Sequence, residues 1–277
     1  MTSKRRNNIK LVLALLVLTS VLVVTWQVQR NRGTLWRIVS TDCVPAAQSR
    51  MTGRCAEVSV DKGVESGYVV FKDRNGPLQY LLMPTKQVAG IEDPFLLTST
   101  SPPYWAEAWR ATRWMEVSNG APIPRDAKSI TINSAWGRGQ SQLHLHVSCV
   151  RADLRSFLRS IPVANSESWT SIPGGWMSHP YEVRKLVAET LDGQDLFKDI
   201  AKDHADNMGQ QAIAAIATEF EGHNGFWLLR THLDLSTLWL GSIEGDVQDH
   251  SCSVVQSAKP ASVAALSARR SYLRATG

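Results

Sequence analysis

Gly139-Gln140-Ser141-Gln142-Leu143-His144-Leu145-His146-Val147-Ser148 is the stretch that decides the fold. Two histidines two residues apart, with Leu and Val between and after them, suit a β-strand. Successive side chains on a strand point to opposite faces. Gln142, His144, His146 and Ser148 therefore share one face, while Leu143, Leu145 and Val147 face a core. A row of one amide, two imidazoles and one hydroxyl suits the holding and attack of a phosphate. The neutral imidazole serves as nucleophile, and neighbouring donors steady developing negative charge.

Working outward, short strands are expected at 56–60, 67–72 and 79–84. Asn75-Gly76 between the last two is a hairpin signal. Residues 104–117 read as a helix, with Trp105, Ala108, Trp109 and Thr112 at helical spacing on one side. Further strands are expected at 129–133, 143–150 and 225–230. Helices are expected at 35–41, 153–161, near 182–189 and at 195–206. Residues 208–217 are small and apolar and fit either element. The sum is α+β: an antiparallel sheet with flanking helices.

The chain has 277 residues and a formal charge of +5. Much of the excess lies beside one apolar run, which argues against nucleic-acid binding. Residues 11–28 are almost unbroken apolar sequence, close to the length that spans a bilayer. Lys4, Arg5, Arg6 and Lys10 precede the run, so residues 1–10 should stay in the cytoplasm and the rest should cross. A cleaved signal peptide is the alternative, but the sequence after the run lacks a small-x-small cleavage pattern, and Trp26 suits an interfacial anchor. The expected layout is a signal anchor at 11–28, a catalytic domain at 35–255 and an Ala/Ser/Arg-rich tail at 256–277. The anchor would sit in a bacterial-type inner membrane, with the domain on its periplasmic side.

Four cysteines, Cys43, Cys55, Cys149 and Cys252, all lie beyond the anchor. In an oxidising compartment an even count suggests two disulfides, and three pairings are open. Cys43 with Cys55 closes a short loop and is the expected pair, leaving Cys149 with Cys252. Four reduced core cysteines are the plainer alternative. No Cys-x-x-Cys pair supports a zinc site.

The block from Asn133 to Ser148 resembles the histidine-triad superfamily, in which an Asn ends one strand and a Gly/Ser turn precedes alternating histidines. The more particular resemblance is to the membrane-anchored CDP-diacylglycerol pyrophosphatases. It is carried by Gly76-Pro77-Leu78-Gln79-Tyr80-Leu81-Leu82-Met83-Pro84-Thr85, the His144–Cys149 run, Pro173-Gly174-Gly175 and Gln248-Asp249-His250-Ser251-Cys252. It covers about residues 35–255. The resemblance implies hydrolysis of CDP-diacylglycerol to CMP and phosphatidate, by water and without a cofactor, through a nucleotidyl-histidine. The triad is reduced here. Counted from the Gly139-Gln140-Ser141 turn, His146 is the nucleophile and Ser148 stands in for the third member. The frame Gln142-x-His144-x-His146 would instead make His144 the nucleophile, and that turn fits only the first frame. Asn133, Gln140, Ser141 and Ser148 are the expected phosphate contacts, and His144 the residue that orients its neighbour.

Each residue also has a plainer reading. A His pair on a strand is often structural, Asn133 and Ser141 are ordinary strand-end and turn residues, and Ser148 beside Cys149 could face solvent. His144-x-His146 could hold zinc, but no third ligand stands at a telling distance, so no metal is expected. His250 is expected to be structural. The competing functions are a hydrolase of soluble nucleotide pyrophosphates and a tethered, inactive nucleotide- or lipid-binding protein.

Overall fold

Strand β5 (Leu145–Cys149) lies near the middle of a nine-stranded, wholly antiparallel sheet with the order β1-β2-β3-β5-β4-β8-β9-β7-β6. The structure is a computed structural model that describes residue 19 and residues 32–51, 53–161 and 168–256. Apart from Thr19, the expected anchor lies outside the described residues, as do residues 1–10 and the tail beyond Gln256. Among the described residues no helix is long and apolar enough to cross a membrane.

The other strands are β1 (Cys55–Ser59), β2 (Tyr68–Lys72), β3 (Tyr80–Pro84), β4 (Lys128–Ile132), β6 (Thr170–Ser171), β7 (Glu182–Val187), β8 (Gln211–Phe220) and β9 (His223–His232). The expected Asn75-Gly76 hairpin joins β2 to β3. His146 sits opposite Leu81 of β3 and Thr131 of β4, so hydrogen-bonded strands flank it on both sides.

Leu143, Leu145 and Val147 enter the main core, as the alternation requires. That core is closed by α3 (Tyr104–Asn119), which presents Trp105, Ala108 and Thr112 inward and ends at Gly120 in the left-handed conformation. α5 (Leu196–His204) covers the same face, and its Phe197 packs on Trp105. The opposite face of β8 and β9 packs against α4 (Ala152–Ser160) and α6 (Ile243–Val247). A third cluster joins Leu81 and Met83 to the N-terminal helical segment, α1 (Thr34–Arg37), a π turn (Ile38–Cys43) and α2 (Val44–Gln48).

Two readings are settled by the sheet. The expected helix near 182–189 is strand β7, paired with β9 from Glu182↔Arg230 to Val187↔Gly225. Its Glu, Arg, Lys and Leu are good helix formers locally. Pairing with a ten-residue neighbour outweighs that weak preference. The undecided run at 208–217 is mostly β8. Ile213, Ala215 and Ala217 face one core, and Ala212, Ala214 and Ile216 the other. A strand buried on both faces has no polar alternation to read.

Disulfides join Cys43 to Cys55 and Cys149 to Cys252. The second ties the end of β5 to α7 (Ser253–Gln256) and the turn before it. The same place is laced by Asp249 N donating to Cys149 O at 3.0 Å and Arg151 N donating to Val247 O at 2.9 Å. The segment 243–252 is thereby laid across the polar face of β5.

Candidate active site

His144 and His146 lie side by side, ring centroids 4.8 Å apart and steeply inclined. Both are buried. The His144 Nδ1–H donates to the Gln142 carbonyl at 2.6 Å, which leaves Nε2 with the free lone pair. Burial first, and the neighbouring His146 second, lower the His144 pKa to about 3, so this ring is neutral at physiological pH. His144 lines a crevice with Gly90, Ile132, Asn133, Arg138 and Leu143. The Arg138 guanidinium is held there by Glu92, with Nη1 2.6 Å from Oε2.

His146 faces a carboxylate. Its Nδ1 is 3.1 Å from Glu244 Oε1, on the second residue of α6. Gln79 Nε2 lies 3.0 Å from the same oxygen and 3.3 Å from Asp73 Oδ2. Those two acceptors use both amide hydrogens of Gln79, so the proton between His146 and Glu244 belongs to Nδ1. His146 Nε2 is buried and has no hydrogen-bond partner among the described residues. In the neutral Nδ1–H tautomer this nitrogen carries the free lone pair.

Glu244 is gripped from all sides. Asn133 Oδ1 accepts from Glu244 N at 3.0 Å, and Asn133 Nδ2 donates to Oε2 at 3.3 Å. His250 Nε2 lies 3.3 Å from Oε1. Burial alone would raise the Glu244 pKa, but the His146 ring, through electrostatics and its Nδ1–H bond, with Gln79 and His250, lowers it to about 2. The carboxylate is ionised. Below it, Gln248 Nε2 donates to the His146 carbonyl at 3.0 Å. Gly76 packs so closely on this segment that a Cβ there would come within 1.9 Å of the His250 carbonyl oxygen.

Of the residues chosen from sequence, the fold brings Asn133, His144 and His146 together. Asn133 holds Glu244 rather than standing free. Gln140 Oε1 accepts from Leu35 N at 3.2 Å and Ser141 N donates to Arg32 O at 2.8 Å, so this turn grips the N-terminal helix. Ser148 does not face solvent: it is fully buried and its hydroxyl has no partner among the described residues. Gln142 secures the backbone of residues 84–88, accepting from Val88 N and donating to Pro84 O and Lys86 O. Sequence reasoning missed Glu244, Gln79 and Arg138, and gave His250 no place at the site. Gln79 and His250 did stand inside family-like motifs. Glu244 sits in none, so only its position in space reveals it. Among the described residues no group of three or more His, Cys, Asp or Glu is arranged to hold a metal ion.

A buried histidine pair at the start of a central antiparallel strand, backed by an ionised carboxylate, is an arrangement suited to a hydrolase acting on a phosphate anhydride. The profile of the CDP-diacylglycerol pyrophosphatase family matches residues 30–256. A curated relative from Yersinia pestis, named CDP-diacylglycerol pyrophosphatase, is 39% identical over 229 residues, covering 81% of this chain and 86% of its own. The chain belongs to the CDP-diacylglycerol pyrophosphatase family.

Proposed function

We propose that this chain hydrolyses CDP-diacylglycerol in two displacements, with His146 as the nucleophile. Nε2 attacks the phosphorus that carries the cytidine. The new P–N bond forms as the P–O bond to phosphatidate breaks, and phosphatidate leaves as the anion. Water then attacks the same phosphorus, the P–N bond breaks, and CMP is released with the proton of water passing to bulk.

One observation carries the assignment: the 3.1 Å contact of His146 Nδ1 with an ionised Glu244, with Nε2 unpartnered. Attack by a neutral imidazole leaves a positive charge on the ring. A carboxylate already in place stabilises that charge without reorganisation. His144 gains only a neutral carbonyl in the same role. In this reading His144 accepts a hydrogen bond beside the reacting phosphate, and Arg138 supplies positive charge to the pyrophosphate from the crevice wall.

The second reading makes His144 the nucleophile. It is favoured by the 2.6 Å bond that fixes its tautomer and by its position on the crevice. Acid-free quench of a reaction with CDP-diacylglycerol labelled in the cytidylate phosphate, followed by peptide mapping, separates the two. Label on His146 is expected; label on His144 transfers the role, and turnover with no protein-bound label removes the covalent route.

We further propose that residues 11–28 tether the chain to a bacterial-type inner membrane with the catalytic domain on the periplasmic side. The two disulfides suit an oxidising compartment. The apolar run with its basic leading flank suits an uncleaved anchor.

A further inference from the structure

Trp136, Met177, Leu235, Leu238 and Leu240 are five of the nine large apolar side chains left exposed among the described residues, and Leu238 is 81% exposed. They lie on three loops that touch one another. Ser134 N donates to Gly241 O at 3.1 Å, and a Cβ on Gly137 would come within 2.8 Å of that oxygen. The His179 ring stacks on Trp239 at 3.6 Å.

Two of these side chains occupy backbone positions that bulky residues avoid. Met177 and Ser178 have φ of 51° and 67° in a turn closed by Trp176 and His179, and Leu238 has φ of 58° in a loop closed by Asp234 and Trp239. Gly, Asn and Asp are the usual occupants of such positions. The chain thus carries backbone strain and apolar exposure at the same loop tips. The Asp234 carboxylate accepts from Ser236 N at 2.9 Å and Thr237 Oγ1 at 3.0 Å, so the longer loop is firmly held.

The N-terminal segment says what covers these tips. Arg32 O accepts from Ser141 N at 2.8 Å, and Arg32 Nη2 donates to Arg138 O at 3.3 Å, on the turn that follows Trp136. The apolar run ends at Val28, four residues earlier, a reach of at most about 14 Å. Arg30, Arg32 and Arg37 follow that run closely in sequence and suit anionic headgroups.

We infer that Trp136 and the tips at Met177, Leu235 and Leu238 form a docking surface for the phospholipid bilayer that carries the substrate. The inference rests on the lipid-hydrolase and anchor readings above and adds the orientation of the domain. The same loops grip α6: His179 Nδ1 is 2.7 Å from Asp246 Oδ2, and Trp176 Nε1 donates to Asp246 O at 2.9 Å. Glu244 lies two residues away on the same helix, so the docked loops and the carboxylate that meets His146 are held by one element.

The test uses the full chain in vesicles of phosphatidylcholine and phosphatidylglycerol. Turnover of long-chain CDP-diacylglycerol in the bilayer is compared with that of a short-chain, water-soluble form. In the triple variant Met177→Ser, Leu235→Ser, Leu238→Ser, long-chain turnover is expected to fall roughly tenfold with short-chain turnover unchanged. A nitroxide on Leu238→Cys is expected to meet oxygen more readily than a water-soluble nickel chelate. Unchanged long-chain turnover, or a label open to the chelate, overturns the surface. A label buried without vesicles, with a change in oligomeric mass in the variant, overturns it in favour of a second copy of the chain. If the triple variant fails to fold, the label alone decides. A wild-type chain inactive on both substrates overturns the hydrolase reading instead.

Discussion

Strand β5 and helix α6 contribute to one site from opposite kinds of sequence. β5 and the residues just before it carry alternation, two histidines and a Gly/Ser turn, and this motif is legible in isolation. α6 is five residues long, and Glu244 has no neighbour in sequence that marks it. Yet Glu244 is the group that meets His146 Nδ1, Gln79, Asn133 and His250. A motif supplies reactive groups; the charge that tunes them comes from wherever the chain returns. Here it returns through the Cys149–Cys252 disulfide and the backbone bonds around it.

The largest expected effect falls on β5. His146→Ala should lower single-turnover cleavage of CDP-diacylglycerol by roughly a thousandfold or more. Retained turnover in that variant, with loss in His144→Ala, would hand the chemistry to the other ring.

Glu244→Gln keeps the shape of α6 and removes the charge. It should lower kcat by roughly a hundredfold with little change in KM, because the carboxylate acts on charge that develops in the transition state. Full activity in that variant would make α6 a cover and leave the site to β5 alone.

The two disulfides sharpen the comparison further. Cys149→Ser with Cys252→Ser opens a link across 103 residues and should lower both stability, by roughly 4 kcal/mol, and turnover. Cys43→Ser with Cys55→Ser opens one across 12 residues and should cost somewhat less stability, roughly 3 kcal/mol, and leave turnover of the folded protein nearly unchanged. Denaturant unfolding beside activity reads both. Equal losses of turnover would deny α6 its special dependence on the second link.

The smallest effect is on pH. His144 is held neutral to about 3, against 6.5 when unfolded, so the unfolded chain binds more protons in that window and stability falls as pH drops through it. Glu244, at about 2 against 4.5, stabilises above 4.5, and that contribution is lost as pH falls toward 2. Between 6.5 and 4.5 the slope of these two belongs to His144. His144→Gln should flatten the thermal midpoint there, leaving the contribution of half-buried His204, whose pKa burial also lowers. An unaltered slope would place His144 in a wetter setting than its burial gives.

The hairpin at Asn75-Gly76, the Trp105 helix and the inward set Leu143, Leu145 and Val147 were legible because each rests on local periodicity or turn chemistry. Strand β7 was not, since its pairing with β9 overrides a local helical preference. Ala-rich β8 was ambiguous because two covered faces erase the alternation. The surroundings of Gln140 and Ser148 were not legible for a related reason. Spacing placed them near the histidines but did not reveal that one ties down α1 and the other is sealed in the sheet.

By itself the sequence determined the run that bears the imidazoles and the family to which the chain belongs, because alternation, turns and motifs are short-range properties; which cysteines pair was left open. The partner of His146, the tautomers of both rings and the grouping of exposed apolar tips near Arg32 were decided only by tertiary structure. Each depends on segments far apart in sequence, Gln79 and Glu244 by 165 residues, meeting in space, where Coulomb and hydrogen-bond energies act over a few ångströms and sequence distance has no weight.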